Sequence, residues 1–503
     1  MTSSNPVTTI ITERRGLLGE RPRKPVLALA VLWSRAEPER VGEVAIPEVE
    51  PDQIVWFGRS PRHGAQALHL SRHRPGSIVD TGAPRSAGIS REQWRIRVGA
   101  DALEIENIGQ RPLLHNGART LLAKARPGDR VEIGDEMLFL VVRRLPALSP
   151  QRLPAALVPG FGEADGFGIV GESPAAWELR RQLAFAAGRE DHVLLTGPSG
   201  SGKELAARTI HGLSRRGGER LVARNAATLP ESLIDAELFG NPKDYPNPGM
   251  PERPGLIGAA DGSTLFMDEI GELSHALQAH LLRVVESGEY QRLGEARARH
   301  ADVRVICATN RDPLALKHDL LGRLRMRVQV PGLEQRREDI PLLARHMLRA
   351  MAAKDPVVAE RVFPGGDVTA EPCWTAAFVA ELVSAPYATH IRELQTRLWE
   401  AIGRSDGTGL TVGAASAVPV ELAEHDEITA VTEAVDSVDP MTISADQVRA
   451  ALSACGGSRD RTWRALGLRS RHQLVRLMRR YGIGGERVGV LGAIDLVEAP
   501  TVD

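Results

Sequence analysis

The sequence has little cysteine, few aromatic residues and almost no net charge. Its three cysteines, Cys307, Cys373 and Cys455, are spread over 503 residues. So few, odd in number and far apart, they argue against a disulfide framework and favour a reducing compartment. The formal net charge of −1 at pH 7 gives no global field towards nucleic acid or membranes. Any nucleic-acid contact therefore has to come from a local basic patch.

Long hydrophobic runs are also missing. The longest early run, Val26–Trp33 after Lys24 and Pro25, is too short for a membrane span and lacks the layout of a signal peptide. We therefore expect a cytoplasmic protein without membrane contact. The apolar share of 42% and the charged share of 25% are ordinary for packed soluble domains. The length alone predicts about three domains.

The N-terminal part carries short β-type runs broken by Gly, Pro, Asp and Asn, without a long helical period. The runs are Val26–Trp33, Ile54–Phe57, Trp94–Val98, Leu103–Ile105, Val131–Ile133 and Met137–Val142. This pattern predicts a β-sandwich or barrel.

Farther along, strands alternate with helical stretches over 168–335, which is typical of a parallel α/β sheet, and 336–404 turns helical. A compact, Arg-rich helical region follows. The predicted organisation is a flexible arm (1–25), an all-β domain (26–144), a linker (145–167), an α/β domain with a helical lid (168–335 and 336–404), a second linker (405–440), an all-α domain (441–483) and a tail (484–503).

A Gly-rich turn follows the apolar run His192–Thr196 and precedes the helical spacing of Lys203–Leu213. Glycines let backbone N–H groups converge on phosphate oxygens at a helix N-terminus, and Lys203 is placed to contact the β and γ phosphates. An ordinary turn is the alternative, but the downstream motifs favour nucleotide binding. Glu204 replaces the usual hydroxyl ligand of magnesium. The predicted phosphate loop consists of Gly197, Pro198, Ser199, Gly200, Ser201, Gly202, Lys203 and Glu204.

Two further strands end in polar residues. Thr264–Met267 is followed by Asp268 and Glu269, and Val303–Ala308 leads to Asn310. We expect Asp268 to hold Mg²⁺, through water, and Glu269 to orient or deprotonate the attacking water. On their own the acids would be solvated groups at a strand end. With the upstream loop they predict an ATP and Mg²⁺ site.

The stretch from Ile169 to Arg404 resembles the AAA+ domain of bacterial sigma-54-dependent transcription activators (enhancer-binding proteins). The resemblance rests on Ile169–Ser173, Gly197–Glu204, Asn225, Glu237–Gly240, Arg253–Leu256, Ala259–Leu273, Ala308–Asn310, Arg337–Pro341 and Ile391–Leu394. In that family, too, glutamate commonly follows the phosphate-loop lysine.

The resemblance implies roles for three more residues. Asn225 matches the switch that restrains Glu269, Arg323 matches a trans-acting arginine finger, and Arg392 matches the sensor II arginine. A finger that reaches the neighbouring subunit implies a ring, typically a hexamer. The sequence departs from the family at Lys317, where a second arginine is usual, and at Ala388–His390, where Pro-Gly-Asn is usual. Lysine keeps the charge but lacks the bidentate fork.

The loop Asp244–Gly249 also departs from the family. Relatives carry Gly-Ala-Phe-Thr-Gly-Ala at this position, and that loop touches sigma-54. Here the six residues are Asp-Tyr-Pro-Asn-Pro-Gly, and the two prolines stiffen the backbone. Contact with sigma-54 RNA polymerase therefore remains open. The loop is either a decayed element or a tip retuned for a different partner or a variant sigma factor.

Residues 26–144 resemble a forkhead-associated (FHA) domain at Gly58-Arg59, Ser90-Arg91 and Asn116-Gly117. The resemblance implies binding of a phosphothreonine protein, with Arg59 and Ser90 on the phosphate and Arg91 in support. Gln93 stands where histidine is usual. The region between Arg59 and Ser90 is longer than usual, and we expect its histidines, His63, His69 and His73, to lie in exposed loops.

The Arg-rich region predicts three short helices, Ala445–Ala454, Arg459–Leu466 and Ser470–Tyr481, and resembles a Fis-type helix-turn-helix. Eight arginines against the single acid Asp460, between Gly456 and Arg480, indicate contact with DNA phosphates, although a solvated basic face is the alternative. The residues expected to touch DNA are Ser470, Arg471, His472 and Gln473 at base edges and Arg476 at the backbone.

The sequence therefore predicts an ATP-hydrolysing transcription regulator of the sigma-54 activator family that binds enhancer DNA and answers a phosphothreonine signal. Two alternatives stay open. One is a DNA-bound, phosphothreonine-regulated ATPase without sigma-54 contact. The other is a weakly hydrolysing nucleotide-binding scaffold.

Overall fold

The computed structural model describes residues 24–410 except 51, 62–65, 229–233, 246 and 406–408, and, in the C-terminal region, residues 443–454, 462–463, 466, 468, 471–481 and 483. Contacts divide the chain into two compact units, Met1–Ala417 and Val418–Asp503. Most of the predicted arm, the predicted 405–440 linker and the tail lie outside the described residues. Within the described part, no helix has the length and apolar character needed to cross a membrane.

The N-terminal region is all β, as predicted, and it forms antiparallel sheets. The described strands are β1 (Val26–Ser34), β2 (Val44–Ala45), β3 (Ile54–Phe57), β4 (Leu70–Arg74), β5 (Ser77–Gly82), β6 (Trp94–Val98), β7 (Leu103–Asn107), β8 (Leu113–His115), β9 (Ala118–Thr120), β10 (Leu122–Ala125), β11 (Arg130–Ile133) and β12 (Met137–Arg144). The strands predicted at Ile54–Phe57 and Trp94–Val98 are confirmed with identical bounds.

These strands build a sandwich of two sheets, with orders β5-β4-β2-β1-β12-β11-β8-β9 and β10-β7-β6-β3. We call residues 26–144 the N-terminal sandwich. Its interior holds Phe57, Trp94 and Phe139, whose ring centroids lie 5.5 to 5.7 Å apart. Strand β1 is apolar on both faces, because one face packs inside the sandwich and the other packs against helices farther along the chain.

The central region contains a five-stranded parallel sheet, which we call the α/β part. Its strands are β13 (Val193–Thr196), β14 (Val222–Asn225), β15 (Thr264–Asp268), β18 (Arg304–Thr309) and β19 (Met326–Gln329), in the order β14-β15-β18-β13-β19. A hairpin, β16 (Glu289–Tyr290) with β17 (Arg299–His300), projects from it. Cys307 lies in β18 and is fully buried, as its apolar neighbours predict.

Six helices accompany this sheet in the part of the chain that the structure describes. They are α1 (Pro174–Ala187), α2 (Lys203–Leu213), α3 (Ile234–Phe239), α4 (Gly255–Ala259), α5 (His275–Ser287) and α6 (His318–Arg323). Two of them begin at a serine N-cap. The Ser173 hydroxyl accepts the N–H of Ala176 before α1, and Ser274 accepts that of Leu277 before α5.

A helical lid follows, as the change of periodicity predicts. Its helices are α7 (Ile340–Ala352), α8 (Pro356–Val362), α9 (Ala376–Ser384) and α10 (His390–Arg404). They share one apolar core, and that core continues into the N-terminal sandwich, where Leu32, Trp33, Val41, Leu138 and Leu140 join it. The sandwich and the lid therefore pack as one body.

The stretch 145–167, predicted as a linker, is folded between the sandwich and the α/β part. Leu157 is buried, and Asp165 forms a fully buried ion pair with Arg180 at 3.0 Å. Since an ion pair in an apolar interior is tolerated only with complete partnering, the two Arg180 bonds to the carbonyls of Gly171 and Ile169 matter as much as the carboxylate. This linker has little freedom to move.

One prediction about the sandwich was wrong. His73 lies in strand β4, not in an exposed loop, and only 5% of it is exposed. Burial, together with the nearby Arg144 charge, lowers the His73 pKa to about 4. Its Nε2 lies 2.8 Å from the Ser71 hydroxyl. His69 does lie in an exposed loop segment, 3.3 Å from Asp80, and His63 is outside the described residues.

The second unit contains helices α11 (Ala445–Ala454) and α12 (Arg471–Arg480), at two of the three predicted positions. Its apolar cluster includes Val448, Leu474 and Leu477, and Leu466 packs against it partly buried. Most of the predicted middle helix lies outside the described residues.

Candidate functional site

The parallel sheet brings the predicted nucleotide-site residues to one edge. Asn225 ends β14, Asp268 ends β15 and Asn310 follows β18, and the phosphate loop follows β13, which lies next to β18 in the sheet. Because all five strands run in the same direction, their carboxyl ends meet at a single edge, where open α/β sheets bind ligands. The register pairs Asn225 directly with Asp268.

The phosphate loop has the backbone that close approach to phosphate requires. Gly200 and Gly202 have φ values of +75° and +104°. A Cβ at Gly200 would lie 2.2 Å from the Thr389 carbonyl oxygen, so no larger residue fits. Gly202 is the N-cap of α2 and supplies no side-chain cap, which leaves the first-turn N–H groups of the helix for an anion.

Lys203 points back into the loop. Its Nζ donates to the carbonyls of Gly197 at 3.0 Å and Pro198 at 3.1 Å. Burial lowers the Lys203 pKa, and the acids Asp268 and Glu269 oppose that shift. The Lys203 ammonium is half-buried and its charge is partly desolvated. An additional anion, such as a phosphate, would therefore stabilise it. This observation fits a polyphosphate ligand.

The two carboxylates differ in environment. Burial raises the Asp268 pKa, while the Glu269 N–H, which donates to Asp268 Oδ1 at 3.0 Å, and the Lys203 charge act in the other direction. Glu269 has a left-handed backbone with φ of +53°. For a non-glycine residue this conformation is costly, and such strain is concentrated at functional sites.

The predicted switch and sensor residues occupy the same edge. The Asn225 side-chain oxygen accepts the N–H of Ala227 at 2.8 Å. Asn225 itself lies beside Asp268 in the sheet. Asn310 is exposed, and the next residue, Arg311, forms an ion pair with Glu272. The structure thus brings Asn225, Asp268, Glu269 and Asn310 together with the loop.

The lid touches three consecutive residues of the phosphate loop. Arg392 Nη1 lies 3.4 Å from the Ser199 hydroxyl, as expected for a sensor in the lid, and the Ile391 N–H donates to Gly200 O at 3.1 Å. The third contact was not predicted. Arg336, only 3% exposed, donates to Ser201 O at 3.4 Å. In the sequence, Arg336 belongs to the charged run Arg336–Asp339, and such a run resembles a solvated segment.

At Ala388–His390, where the family usually has Pro-Gly-Asn, His390 makes the structural contacts. His390 adopts φ of +46°, a region that asparagine and glycine enter more readily than other residues. Its Nδ1 accepts the Leu333 N–H at 3.1 Å, and its ring packs against Gly332. The histidine therefore joins the start of α10 to the segment that leads into α7.

Arg323, the predicted finger, is the last residue of α6. Its Nη2 forms an ion pair with Glu286 of α5 at 2.8 Å, and both side chains are well exposed. An exposed pair of this kind contributes at most about 1 kcal/mol. The pair therefore leaves the guanidinium available to another ligand.

The loop 244–249 is a compact turn in its described residues; Pro246 is not among them. The Gly249 N–H donates to Asp244 Oδ1 at 2.8 Å, and the buried Asn241 amide donates to three carbonyls, those of Pro242, Tyr245 and Pro251. Its base is tied to the β16–β17 hairpin by the Glu252–Arg292 ion pair at 2.5 Å.

The N-terminal sandwich has an open cleft of about 490 Å³ at one end. It is lined by Arg59, Ala87, Gly88, Ile89, Ser90, Arg91, Glu92, Ile108, Gly109 and Gln110. The structure therefore brings together Arg59, Ser90 and Arg91, as predicted. The segment Ile108–Gln110 was missed, because it reaches the cleft through backbone N–H bonds to Gln93 and Ser90 and carries no charged side chain.

Three side chains make hydrogen bonds that shape this cleft. Gln93 replaces the usual histidine and accepts the Ser90 N–H at 3.1 Å while donating to Asn107 and to the Arg111 carbonyl. Ser90 Oγ accepts the Gln110 N–H at 2.9 Å, and Arg59 Nε donates to Ile89 O at 3.3 Å. Both guanidinium side chains, Arg59 and Arg91, are exposed at the cleft.

The predicted DNA-contacting residues lie on or next to α12. The backbone of Arg471, His472 and Gln473 opens this helix, Arg476 is exposed on it, and Ser470 lies outside the described residues. Described helix positions agree with the prediction, and base contacts stay a prediction.

Comparison with known proteins decides the family. A family model described as the sigma-54 interaction domain matches residues 169–330. The transcriptional regulatory protein ZraR of Escherichia coli K12 is 35% identical over 327 residues, which cover 63% of this chain and 69% of ZraR. The chain belongs to the sigma-54-dependent transcriptional activator family.

Other relatives of this activator match it over different fractions of the two chains. The Nif-specific regulatory protein of Bradyrhizobium diazoefficiens is 33% identical across 77% of this chain and 67% of its own length, and NtrC of Azospirillum brasilense is 40% identical across 44% and 47%. A crystal structure of NtrX from Brucella abortus with ADP superimposes with a TM-score of 0.44 at 27% identity, covering 63% of this chain and 70% of NtrX.

The central domain of this sigma-54 activator is an AAA+ ATPase that binds ATP. Its predicted phosphate-loop and carboxylate residues meet at one sheet edge. A metal site built from protein ligands alone is not found there, since the described residues contain no group of three or more His, Cys, Asp or Glu side chains arranged to hold an ion.

Proposed function

We propose that this activator binds Mg·ATP at the sheet edge, hydrolyses it in a ring of subunits and uses the cycle to remodel sigma-54 RNA polymerase from an enhancer site, in response to a phosphothreonine protein. The observation that carries the catalytic part is the convergence of Lys203, Asp268 and Glu269 at the carboxyl ends of parallel strands. The other parts follow from the cleft of the sandwich and the basic C-terminal unit.

The nucleotide chemistry divides among the residues of the edge. The N–H groups at the start of α2 and the Lys203 ammonium would hold the phosphates, and Arg392 would approach them from the lid. Mg²⁺, when bound, would neutralise developing charge on the phosphoryl oxygens, and Asp268 is the residue placed to hold it through water. Glu269 would orient or deprotonate the attacking water, with Asn225 and Asn310 beside it.

A ring would complete this site. Arg323 lies in a weak, exposed pair with Glu286, so a phosphate of the neighbouring subunit can replace that partner. Arg323 would then stabilise the negative charge on the phosphoryl group that is transferred in the neighbouring subunit. Hydrolysis would therefore depend on assembly of the ring. We propose a hexamer as in the family.

The cleft of the N-terminal sandwich supports recognition of a phosphothreonine. Two exposed arginines, Arg59 and Arg91, and the Ser90 hydroxyl face one open space, and a phosphate dianion needs such charged and neutral donors together. Gln93, which stands where histidine is usual, fixes the backbone of Ser90. We therefore propose an FHA domain at 26–144.

The C-terminal unit supports DNA binding through a Fis-type helix-turn-helix. Helix α12 carries Arg471, Arg476 and Arg480 on a core fixed by Leu474 and Leu477. In this proposal Ser470 to Gln473 reach base edges, and Arg476 contacts phosphates.

Open-complex formation tests the proposal directly. Sigma-54 polymerase, ATP and the full chain would be combined on DNA that carries the chain's own binding site, and promoter melting would be followed by permanganate footprinting. We expect melting with the wild-type chain and none with Lys203→Ala, because that variant lacks the ammonium that holds the phosphates. Glu178→Gln, on the exposed face of α1, is the matched control and should melt the promoter normally.

The compact loop 244–249 favours a second candidate function. Its tip lacks the contact sequence of the family, and Asp244 and Asn241 hold it in a closed turn. An ATPase that acts on another partner would hydrolyse ATP in a Lys203-dependent way and still fail to melt the sigma-54 promoter. Absence of any hydrolysis would instead support the scaffold.

A further inference from the structure

The N-terminal sandwich contacts the lid through its strands β1, β11 and β12 and through the turn at Pro38 that follows β1. Arg345 of α7 donates to the Pro38 carbonyl at 3.0 Å, and Arg130 of β11 donates to the Ala380 carbonyl of α9 at 2.8 Å. Trp33 and Leu140 lie in the same apolar cluster as the lid helices. Both polar and apolar contacts therefore attach the sandwich to the lid.

The same sandwich also contacts the α/β part. Arg74, at the end of β4, forms two bonds with the Glu172 carboxylate, at 2.5 and 3.0 Å, and a third with the Pro159 carbonyl. Glu172 is only 2% exposed and immediately precedes the N-cap of α1. Helix α1 packs along α2, which begins at the phosphate-loop lysine.

The two attachments meet where the chain passes from the α/β part to the lid. Arg144 of β12 donates to both the Glu172 carbonyl at 3.1 Å and the Glu338 carboxylate at 3.2 Å. Asp339 accepts the N–H groups of Glu172 and Ser173 and the Ser173 hydroxyl. The sandwich, the α/β part and the lid thus share one buried polar cluster.

The nucleotide site spans the same two parts. Lid residues Arg392, Ile391 and Arg336 contact Ser199, Gly200 and Ser201 of the phosphate loop. Any rotation of the lid relative to the α/β part changes these contacts, and hence access to the nucleotide. Lid opening and product release limit the rate of many enzymes.

We propose that the N-terminal sandwich is a clamp across the hinge between the α/β part and the lid. It fixes their relative orientation and slows the lid rotation that releases ADP. Loosening the clamp therefore speeds ADP release. The inference rests on the ATPase and not on phosphothreonine binding, so it stands or falls separately from the proposed FHA ligand.

Two substitutions in the full chain test the clamp from its two sides. Arg74→Gln removes the paired contact with Glu172, and Arg130→Gln removes the contact with α9. ADP release would be followed by stopped-flow displacement of a fluorescent ADP analogue. We expect each variant to release ADP about fivefold faster or more, a typical size for coupling between sites. Amide hydrogen exchange in α7 and α9 should rise in parallel, with or without nucleotide.

Arg95→Gln is the matched control, because Arg95 pairs with Glu106 on an exposed face of the sandwich away from the hinge. Its release rate should equal that of the wild type. Near-ultraviolet circular dichroism from the buried Trp94 checks that the sandwich is folded. Should Arg74→Gln unfold it, Arg74→Lys, which keeps charge but not the fork, should give a smaller acceleration. Unchanged or slower release in both folded clamp variants would overturn the inference.

Discussion

The nucleotide site and the cleft of the N-terminal sandwich are two phosphate sites built on opposite plans. In the first, contiguous backbone from Gly197 to Lys203 shapes the phosphate loop through its glycine conformations, and Lys203 adds one ammonium to it. In the second, Arg59, Ser90 and Arg91 supply side chains from separate loops. A backbone site depends on shape and fails when a Cβ is added, whereas a side-chain site loses affinity one donor at a time.

The largest expected effect separates binding from chemistry within the nucleotide site. Glu269→Gln should lower ATP hydrolysis by about 10²- to 10⁴-fold, because an amide cannot accept the proton of the attacking water. ATP affinity should change little, since the phosphate contacts lie elsewhere. Steady-state hydrolysis and equilibrium binding of a fluorescent ATP analogue measure the two. Equal losses of both would contradict this assignment.

A pH effect is expected in strand β4 of the N-terminal sandwich. The buried His73 takes up its proton only near pH 4 in the folded chain, compared with about 6.5 when unfolded. The neutral His73 ring makes its full contribution to the free energy of unfolding above pH 6.5, and this contribution is lost as the pH falls towards 4. The pKa difference corresponds to roughly 3 kcal/mol of unfolding free energy.

Denaturant unfolding of wild type and His73→Asn across that range measures the difference. The variant should show a flatter decline between pH 6.5 and 4, because the unfolded chain no longer gains that proton. His69→Asn removes an exposed histidine and should follow the wild-type curve. Identical curves for His73→Asn and wild type would show that His73 is not the titrating group.

Gly200→Ala tests the backbone plan. The added Cβ would meet the Thr389 oxygen at 2.2 Å in a left-handed conformation, so ATP affinity should fall on the order of tens of fold. Gly218→Ala is the matched change, since no atom lies within 4 Å of its Cβ. A fluorescent ATP analogue reports both affinities. Near wild-type binding by Gly200→Ala would mean that the lid yields easily at this point.

Arg59→Ala tests the side-chain plan and carries the smallest expected effect. Loss of one charged donor should weaken a mixture of phosphothreonine peptides with randomised flanks by about tenfold. Arg95→Ala removes an exposed arginine elsewhere on the sandwich and should bind normally. Fluorescence anisotropy measures both. Equal affinity for phosphorylated and unphosphorylated peptides in the wild type would refute the proposed ligand.

The two plans also explain what could be predicted from sequence. The phosphate loop is contiguous, and its strand and helix neighbours have clear periods, so the site and the α2 bounds followed directly. The parallel topology then placed Asp268 and Asn310 correctly. The sandwich cleft was predicted only in part, because Ile108–Gln110 reaches it through backbone bonds to Gln93 and Ser90 that sequence spacing does not encode.

Burial at the junction could not be predicted for a different reason. Arg74, Arg144, Arg336 and Glu338 have the charges of surface residues, and their sequence neighbours give no apolar period. Arg144 and Arg336 are buried, and Arg74 and Glu338 partly buried, because three segments far apart in sequence meet there and satisfy one another's charges. His73 was misassigned for the same reason, since it lies next to Arg144 in that region.

The closed turn at 244–249 also allows the position of this loop to be followed by spectroscopy. The Tyr245 ring covers Gly294 of the neighbouring hairpin so closely that a Cβ there would lie 2.5 Å from it. Aromatic ring currents displace the resonances of hydrogens over the ring, so the α protons of Gly294 should appear at shifted frequencies. The Gly294 signal would then report, nucleotide state by nucleotide state, when the tip lifts away from its hairpin.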